Sequence, residues 1–141
     1  MKDQKINLGF TNYTKQKIPS RYFLFVLKDF LNKLDISNNI EVNLILVGKT
    51  RIRKLNKEFR KKDKATDVLS FPIDILNIKD IVKNKDIVLG DIFICPQMVK
   101  IAEMEKIFLH GLMHLVGYDH ISSKQEVEWK KIDSQTGLET I

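Results

Sequence analysis

All three histidines of this 141-residue chain lie within eleven positions, in the segment HGLMHLVGYDH. His110 and His114 are four residues apart, so on a helix they would lie one above the other on the same face. Gly117 favours the left-handed backbone that ends a helix, and the following turn can bring His120 back toward the first two. Three converging imidazoles with an open fourth position are the ligand set of a catalytic zinc ion. The spacing therefore predicts one bound divalent ion, with zinc expected, although nickel and cobalt accept the same ligands.

The ligand spacing His-x3-His-x2-Gly-x2-His is that of a zincin-like site in the metzincin proteases. Those enzymes carry a glutamate directly after the first histidine as their general base, whereas this chain has Gly111 at that position. A metal-dependent amide hydrolase or protease is therefore an alternative function, and Gly111 counts against it.

The basic residues are concentrated in the segment Lys49–Lys64, which we call the basic segment. It contains nine basic and two acidic residues, a net charge of +7, whereas the rest of the chain has 15 basic and 16 acidic residues. Such a cluster attracts phosphate groups, although a charged run is also typical of a solvated helix face. Arg60 is one of only four arginines in the chain. Its forked guanidinium suits phosphate better than an ammonium group does.

Helical and strand periodicities alternate along the chain, which indicates an α+β fold (α/β-like). The patterns predict strands at 6–13, 40–48, 65–72 and 88–96. They predict helices at 20–34, within the basic segment, from Pro96 to Leu115 and at 124–135. In the basic segment, Ile52, Leu55 and Phe59 are spaced as the apolar face of a short helix. We expect a single domain over residues 1–141, with a mixed sheet of about four strands flanked by about four to five helices.

Composition excludes two classes of protein. No apolar run approaches the roughly 18–20 residues that a membrane span needs, and the N-terminus lacks the apolar core of a secretory signal. The single cysteine, Cys95, cannot form an intramolecular disulfide. We therefore expect a cytoplasmic protein that does not contact a membrane.

Three segments resemble the signatures of the YbeY family, the bacterial endoribonucleases and rRNA maturation factors. The histidine segment is similar to that family's HGxLHLxGYDH signature. Residues 55–72, LNKEFRKKDKATDVLSFP, are similar to its LN-x2-[YF]-R-x2-D-x-[PA]-T-D-V-LSFP segment, and residues 89–96, LGDIFICP, to its LGDI-x-I-[CS]-P strand. The resemblance runs from about Ile40 to His120. Ala65 stands where the family usually has proline, and the segment between Pro96 and His110 is shorter than is typical.

The resemblance implies a metal-dependent, single-strand-specific endoribonuclease that hydrolyses RNA phosphodiester bonds. It also implies a role in maturing the 3′ end of 16S rRNA and in ribosome quality control. Carried over by position, His110, His114 and His120 would be the metal ligands, and Arg60 would be the arginine essential for activity. A non-catalytic ribosome-assembly factor with structural zinc is a further alternative, against which the open fourth coordination position counts.

The expected partners are RNA and the ribosome, with the protein itself a monomer. We expect RNA contacts from six residues of the basic segment, namely Arg51, Arg53, Lys54, Lys57, Lys61 and Lys62. Asp67 and Ser70 either line the cleft or act as ordinary strand residues, and the sequence favours neither role.

Overall fold

The computed structural model describes residues 3–74 and 77–118. These residues form four strands and three α-helices, together with short 3₁₀ turns. In chain order the elements are β1 (Ile6–Asn12), α1 (Ser20–Lys33), β2 (Ile40–Leu46), α2 (Lys49–Arg60), β3 (Val68–Pro72), β4 (Ile87–Ile94) and α3 (Met104–Leu115). The predicted last helix, at 124–135, lies outside the described residues.

The four strands form one mixed sheet in the order β1-β2-β4-β3. Strands β1, β2 and β4 are parallel, and β3 runs antiparallel to β4 at one edge. The expected α+β class, with a mixed sheet of four strands, is confirmed. The order also shows that β4 inserts between β2 and β3, so the strand that follows the basic segment becomes an edge of the sheet.

Helices α1 and α3 cover one face of the sheet and α2 covers the other. Strand β2 alternates, and its residues Val42, Leu44 and Leu46 are buried in the larger core with α1 and α3. On the opposite face, Ile52 of α2 is buried in a smaller core with Leu69 of β3. The two faces therefore separate α2, with its basic residues, from α3, which carries the first two histidines.

The helix expected from Pro96 to Leu115 is shorter than predicted. Two 3₁₀ turns occupy Pro96–Met98 and Ile101–Glu103, and α3 begins only at Met104. Between the turns, Val99 and the residue after it adopt extended backbone. Val99 packs against the larger core from this extended segment. The apolar periodicity of the region is therefore satisfied by two turns and a break rather than by one continuous helix.

Phe59 was expected on the buried face of α2, and the structure corrects this. Ile52 is fully buried, whereas 58% of Phe59 is exposed. The ring of Phe59 packs against Phe71 of the edge strand β3, with centroids 5.3 Å apart. Because the helix ends above the edge of the sheet, the core that covers Ile52 does not extend as far as Phe59.

None of the helices within residues 3–74 and 77–118 is long and apolar enough to cross a membrane.

Candidate functional site

Helix α3 carries His110 and His114 on successive turns of the same side. The remaining faces of α3 are largely buried against the sheet and α1. His110 lies partly within this packing, and its Nε2 atom is buried from solvent, whereas His114 is exposed. The predicted ligand pair therefore lies at the margin of the larger core, with one imidazole shielded and the next one open to solvent.

Gly111 lets α3 approach the sheet closely. A Cβ at this position would lie 2.9 Å from Cγ2 of Ile92 and 3.2 Å from Oγ of Ser70. The Ser70 hydroxyl donates a hydrogen bond to the Gly111 carbonyl at 3.3 Å. Ser70, for which the sequence left two roles open, thus ties β3 to the helix that carries the histidines. This contact holds the backbone next to His110 against the edge strand.

The same packing bears on the protease alternative. In metzincins the general base occupies the position that Gly111 holds here. Gly111 is buried where α3 packs on Ile92 and Ser70, so even a methyl group would crowd these neighbours. The position therefore has no room for a glutamate side chain, and the fold does not accommodate a metzincin base there.

Gly117 ends α3 as predicted, with a positive φ of 92°. The Gly117 amide donates to the His114 carbonyl at 3.1 Å, and the Tyr118 amide donates to the Met113 carbonyl at 2.9 Å. This pair of bonds is a Schellman motif, the usual way in which a glycine closes a helix. The chain therefore turns away from the helix axis at Gly117, three residues after His114, and Tyr118 is buried beyond the turn.

The third predicted ligand, His120, lies outside the described residues, as does Asp119. Within residues 3–74 and 77–118, no group of three potential metal ligands occurs. The structure thus places two of the three predicted ligands one turn apart, and the zincin-like site stays a prediction.

Arg60 is the last residue of α2 and is exposed. Its side chain forms no ion pair with the residues that the structure describes. The dipole of α2 also favours a cation at this C-terminal position.

Arg60 and the histidine pair flank the same strand. Phe59, the neighbour of Arg60, packs on Phe71 of β3, whereas Gly111, the neighbour of His110, accepts a hydrogen bond from Ser70. Ser70 and Phe71 are consecutive in β3 and point to opposite faces of the sheet. The end of α2 and the middle of α3 therefore meet the edge strand β3 from its two sides. Strand β3 thus contacts the chain neighbours of both Arg60 and His110.

The six predicted RNA-contacting residues are all exposed. Several already have partners. Nε of Arg53 lies 2.8 Å from Oδ1 of Asp63, and the Arg51 guanidinium lies 4.9 Å from the centre of the Tyr13 ring. The hydrogen bond from Arg53 lowers the pKa of the Asp63 carboxyl below its ordinary value. By contrast, Lys54 and Lys62 have no ion-pair partner within the described part of the chain. These two lysines and Arg60 are therefore among the exposed cations of the basic segment that can meet a phosphate without first breaking an ion pair.

Asn56 is a structural residue that the sequence analysis missed. It is buried, and its Nδ2 donates to the Lys64 carbonyl at 2.9 Å. The main-chain carbonyl of Asn56 accepts a hydrogen bond from the Lys62 amide at 3.2 Å. These bonds hold the chain that follows α2 against the helix and keep the basic residues of both on one surface. Asn56 lies four residues after Ile52 and so falls on the same side of the helix, and a polar residue at that apolar position was the signal that could have indicated it.

Comparison with known proteins decides the family. The sequence model of Endoribonuclease YbeY matches residues 9–138, nearly the whole chain. The chain belongs to the YbeY family. Among YbeY relatives, Endoribonuclease YbeY of Francisella tularensis (strain SCHU S4) is 37% identical over 140 residues, covering 91% of this chain and 81% of the relative. That of Pelagibacter ubique (strain HTCC1062) is 38% identical over 135 residues, covering 88% and 84%.

A solved structure agrees with the fold. The solution structure of TM1509 from Thermotoga maritima matches with a TM-score of 0.54 and 27% sequence identity, covering 92% of this chain and 88% of that one. Membership of the YbeY family confirms the predicted class of activity, a hydrolase that cleaves RNA internally.

Proposed function

We propose that this YbeY protein is a metal-dependent endoribonuclease, specific for single strands, whose catalytic site lies at the edge strand β3. The observation that carries the proposal is the meeting of α2 and α3 at that strand. Phe59, next to Arg60, packs on one face of β3. Gly111, next to His110, accepts a hydrogen bond from Ser70 on the other face. An arginine, which can stabilise phosphate charge, and histidines, which can bind a metal ion, are thereby both attached to the same edge strand of the sheet.

The residues present fit a divalent metal ion. His110 and His114 offer imidazole nitrogens one helical turn apart, and the Schellman turn at Gly117 directs the chain away from the helix axis just before His120. These three histidines would hold the ion, and zinc is the metal we propose, because three histidines with one open position are a ligand set of catalytic zinc. When bound, such an ion polarises a phosphoryl oxygen and lowers the pKa of a water molecule toward about 7.

The chain's own residues supply binding and charge. The Arg60 guanidinium can pair with two phosphate oxygens at once and offset the negative charge that develops during hydrolysis. Lys54 and Lys62 are exposed without ion-pair partners in the described part of the chain, so they can contact neighbouring phosphates. The Ser70–Gly111 bond keeps α3 fixed on β3 while substrate binds.

The biological setting follows from the family resemblance. We propose that the substrate is ribosomal RNA, with the 3′ end of 16S rRNA as the processed site, and that the enzyme also acts in ribosome quality control. The working form proposed is a single-domain monomer in the cytoplasm that meets the ribosome without contacting a membrane.

Metal removal tests the central proposal. The purified protein is expected to contain about one equivalent of divalent metal and to cleave a single-stranded RNA, and a chelator should abolish both. Adding zinc back to the chelated protein should restore cleavage. Elemental analysis and gel-based cleavage of the same preparation measure the two quantities. Undiminished cleavage by metal-free protein would refute the metal-dependent mechanism, whereas RNA binding without cleavage in the metal-loaded form would favour the assembly-factor alternative.

The basic surface gives a second expectation. Replacing Lys62 with glutamine should flatten the dependence of RNA affinity on salt, by about 0.7 in the log–log slope if Lys62 meets one phosphate of a single strand. The cleavage rate at saturating enzyme should not change. Fluorescence anisotropy of a labelled oligoribonucleotide at several salt concentrations measures the slope. Lys28→Gln is the matched control, because Lys28 is exposed on α1, across the sheet from α2. Equal slopes for the two variants would remove Lys62 from the binding surface.

A further inference from the structure

We infer that Phe59 is a stacking platform for a nucleobase of the RNA substrate, an inference that rests on the proposed ribonuclease function. More than half of this aromatic side chain is exposed, at 58%. It lies at the end of α2, directly before Arg60, in the segment of net charge +7. An apolar ring in the most cationic part of a surface has no folding role that requires its exposure. An exposed aromatic ring can stack on a nucleobase of RNA, while the neighbouring cations bind the RNA phosphates.

The ring is held in place by its neighbours. Phe59 lies at an interplanar angle of 68° to Phe71, and Phe71 in turn lies at 82° to Phe93, with centroids 5.7 Å apart. The three rings form a row that runs from the end of α2 across β3 to β4. A side chain already ordered by such contacts loses little conformational entropy when a base stacks on it. The row therefore provides a rigid support for the exposed member.

Charge complementarity identifies the occupant. A protein partner with an apolar patch would leave the surrounding cations, among them Arg60 and Lys62, without counter-charges. A single-stranded polynucleotide satisfies both features, because its phosphates meet the cations and its unpaired bases meet the ring. Every base presents an aromatic face, so this contact adds affinity and position with little dependence on sequence. A base held on Phe59 would place an adjacent phosphate beside Arg60, at the edge strand proposed for catalysis.

Cleavage kinetics test the inference with the metal-loaded enzyme. In single-turnover reactions with a single-stranded oligoribonucleotide, Phe59→Ala should raise the half-saturating enzyme concentration about 5- to 150-fold, the range that loss of one base–aromatic stack accounts for. Phe59→Tyr should restore near wild-type behaviour because it keeps the ring. Phe59→Leu should resemble the alanine variant, although it keeps an apolar side chain against Phe71. Thermal unfolding of each variant verifies that the fold is retained.

Two controls separate base stacking from a structural effect. An abasic phosphodiester oligomer, used as a competitor, should inhibit wild-type and Phe59→Ala enzymes equally, because it offers phosphates but no bases. Phe25→Ala removes a phenylalanine that is 71% exposed on α1, on the opposite face of the sheet, and should leave cleavage unchanged. The inference would be overturned if Phe59→Ala had the half-saturating concentration of the wild type. It would also be overturned if Phe59→Ala lost as much affinity for the abasic oligomer as it loses for RNA. Failure of the wild-type enzyme to cleave RNA would instead overturn the proposed function on which the inference rests.

Discussion

Replacing His114 with alanine is expected to remove about one equivalent of bound divalent metal and to reduce RNA cleavage to the level of the chelated wild-type enzyme. His114 lies one turn after His110 on α3, so the substitution deletes one of only three imidazoles available for coordination. A three-histidine site that loses a ligand keeps two, too few for the usual four-coordinate zinc geometry with a single open position. Elemental analysis and cleavage assays on matched preparations measure both effects.

The exposure of His114 makes this a clean test. Because the side chain is solvent-exposed, its truncation leaves no cavity, and the fold should be retained. Lys106→Ala on the same helix is the control, since lysine is not among the ligands that zinc uses. Its metal content and cleavage should match those of the wild type. If His114→Ala and Lys106→Ala contain the same amount of metal, the histidine spacing has been misread and the metal site must be sought elsewhere.

Local patterns allowed much of the fold to be predicted from the sequence. The alternation in IEVNLIL and the apolar residues of LGDIFI correctly indicated β2 and β4, because a strand's exposure pattern depends on its own residues and the two sheet faces. The stop at Gly117 was also predictable, since a glycine that follows an apolar helix favours a Schellman turn. These features depend on a few neighbouring residues, which is why they could be predicted without a structure.

Features that depend on contacts between distant segments could not be predicted in this way. The insertion of β4 between β2 and β3 makes β3 an edge strand, and the exposure of Phe59 follows from it. The role of Ser70 stayed open for the same reason, because its partner, the Gly111 carbonyl, is 41 positions away in the chain. The late start of α3 reflects packing of Val99 on the core rather than any local stop signal.

The candidate site also combines features that neighbouring residues determine with features that depend on contacts between distant segments. The histidine spacing and the YbeY resemblance predict His110, His114, His120 and Arg60 as individual site residues, without indicating how α2 and α3 are arranged relative to each other. The structure adds that both helices meet β3, one on each face of the sheet. An arginine on one face of the sheet can take part in chemistry on the other only at an edge. The edge position of β3 is therefore the feature that makes a joint role for Arg60 and the histidines physically reasonable.

Replacing Arg60 with alanine is expected to lower the single-turnover cleavage rate about 10²- to 10³-fold at saturating enzyme, the range measured for loss of one charge-stabilising donor in other enzymes. The guanidinium is exposed and free of ion pairs within the described residues, so no competing contact has to be broken before it binds phosphate. Working at saturation removes any change in affinity from the comparison. The rate of product formation from a labelled oligoribonucleotide is the measurement.

Arg60→Lys distinguishes this role from the effect of charge on the helix. Lysine keeps the positive charge at the C-terminus of α2, so helix stability should be preserved to within a few tenths of a kcal/mol. It cannot form the two-pronged contact with phosphate, so the cleavage rate should recover only slightly from that of the alanine variant. Full recovery of the cleavage rate with lysine would mean that Arg60 acts through its positive charge alone rather than through a bidentate contact with phosphate. A wild-type rate for Arg60→Ala would place Arg60 on the general basic surface with Lys54 and Lys62, and transition-state stabilisation would then rest on the metal ion and its histidines.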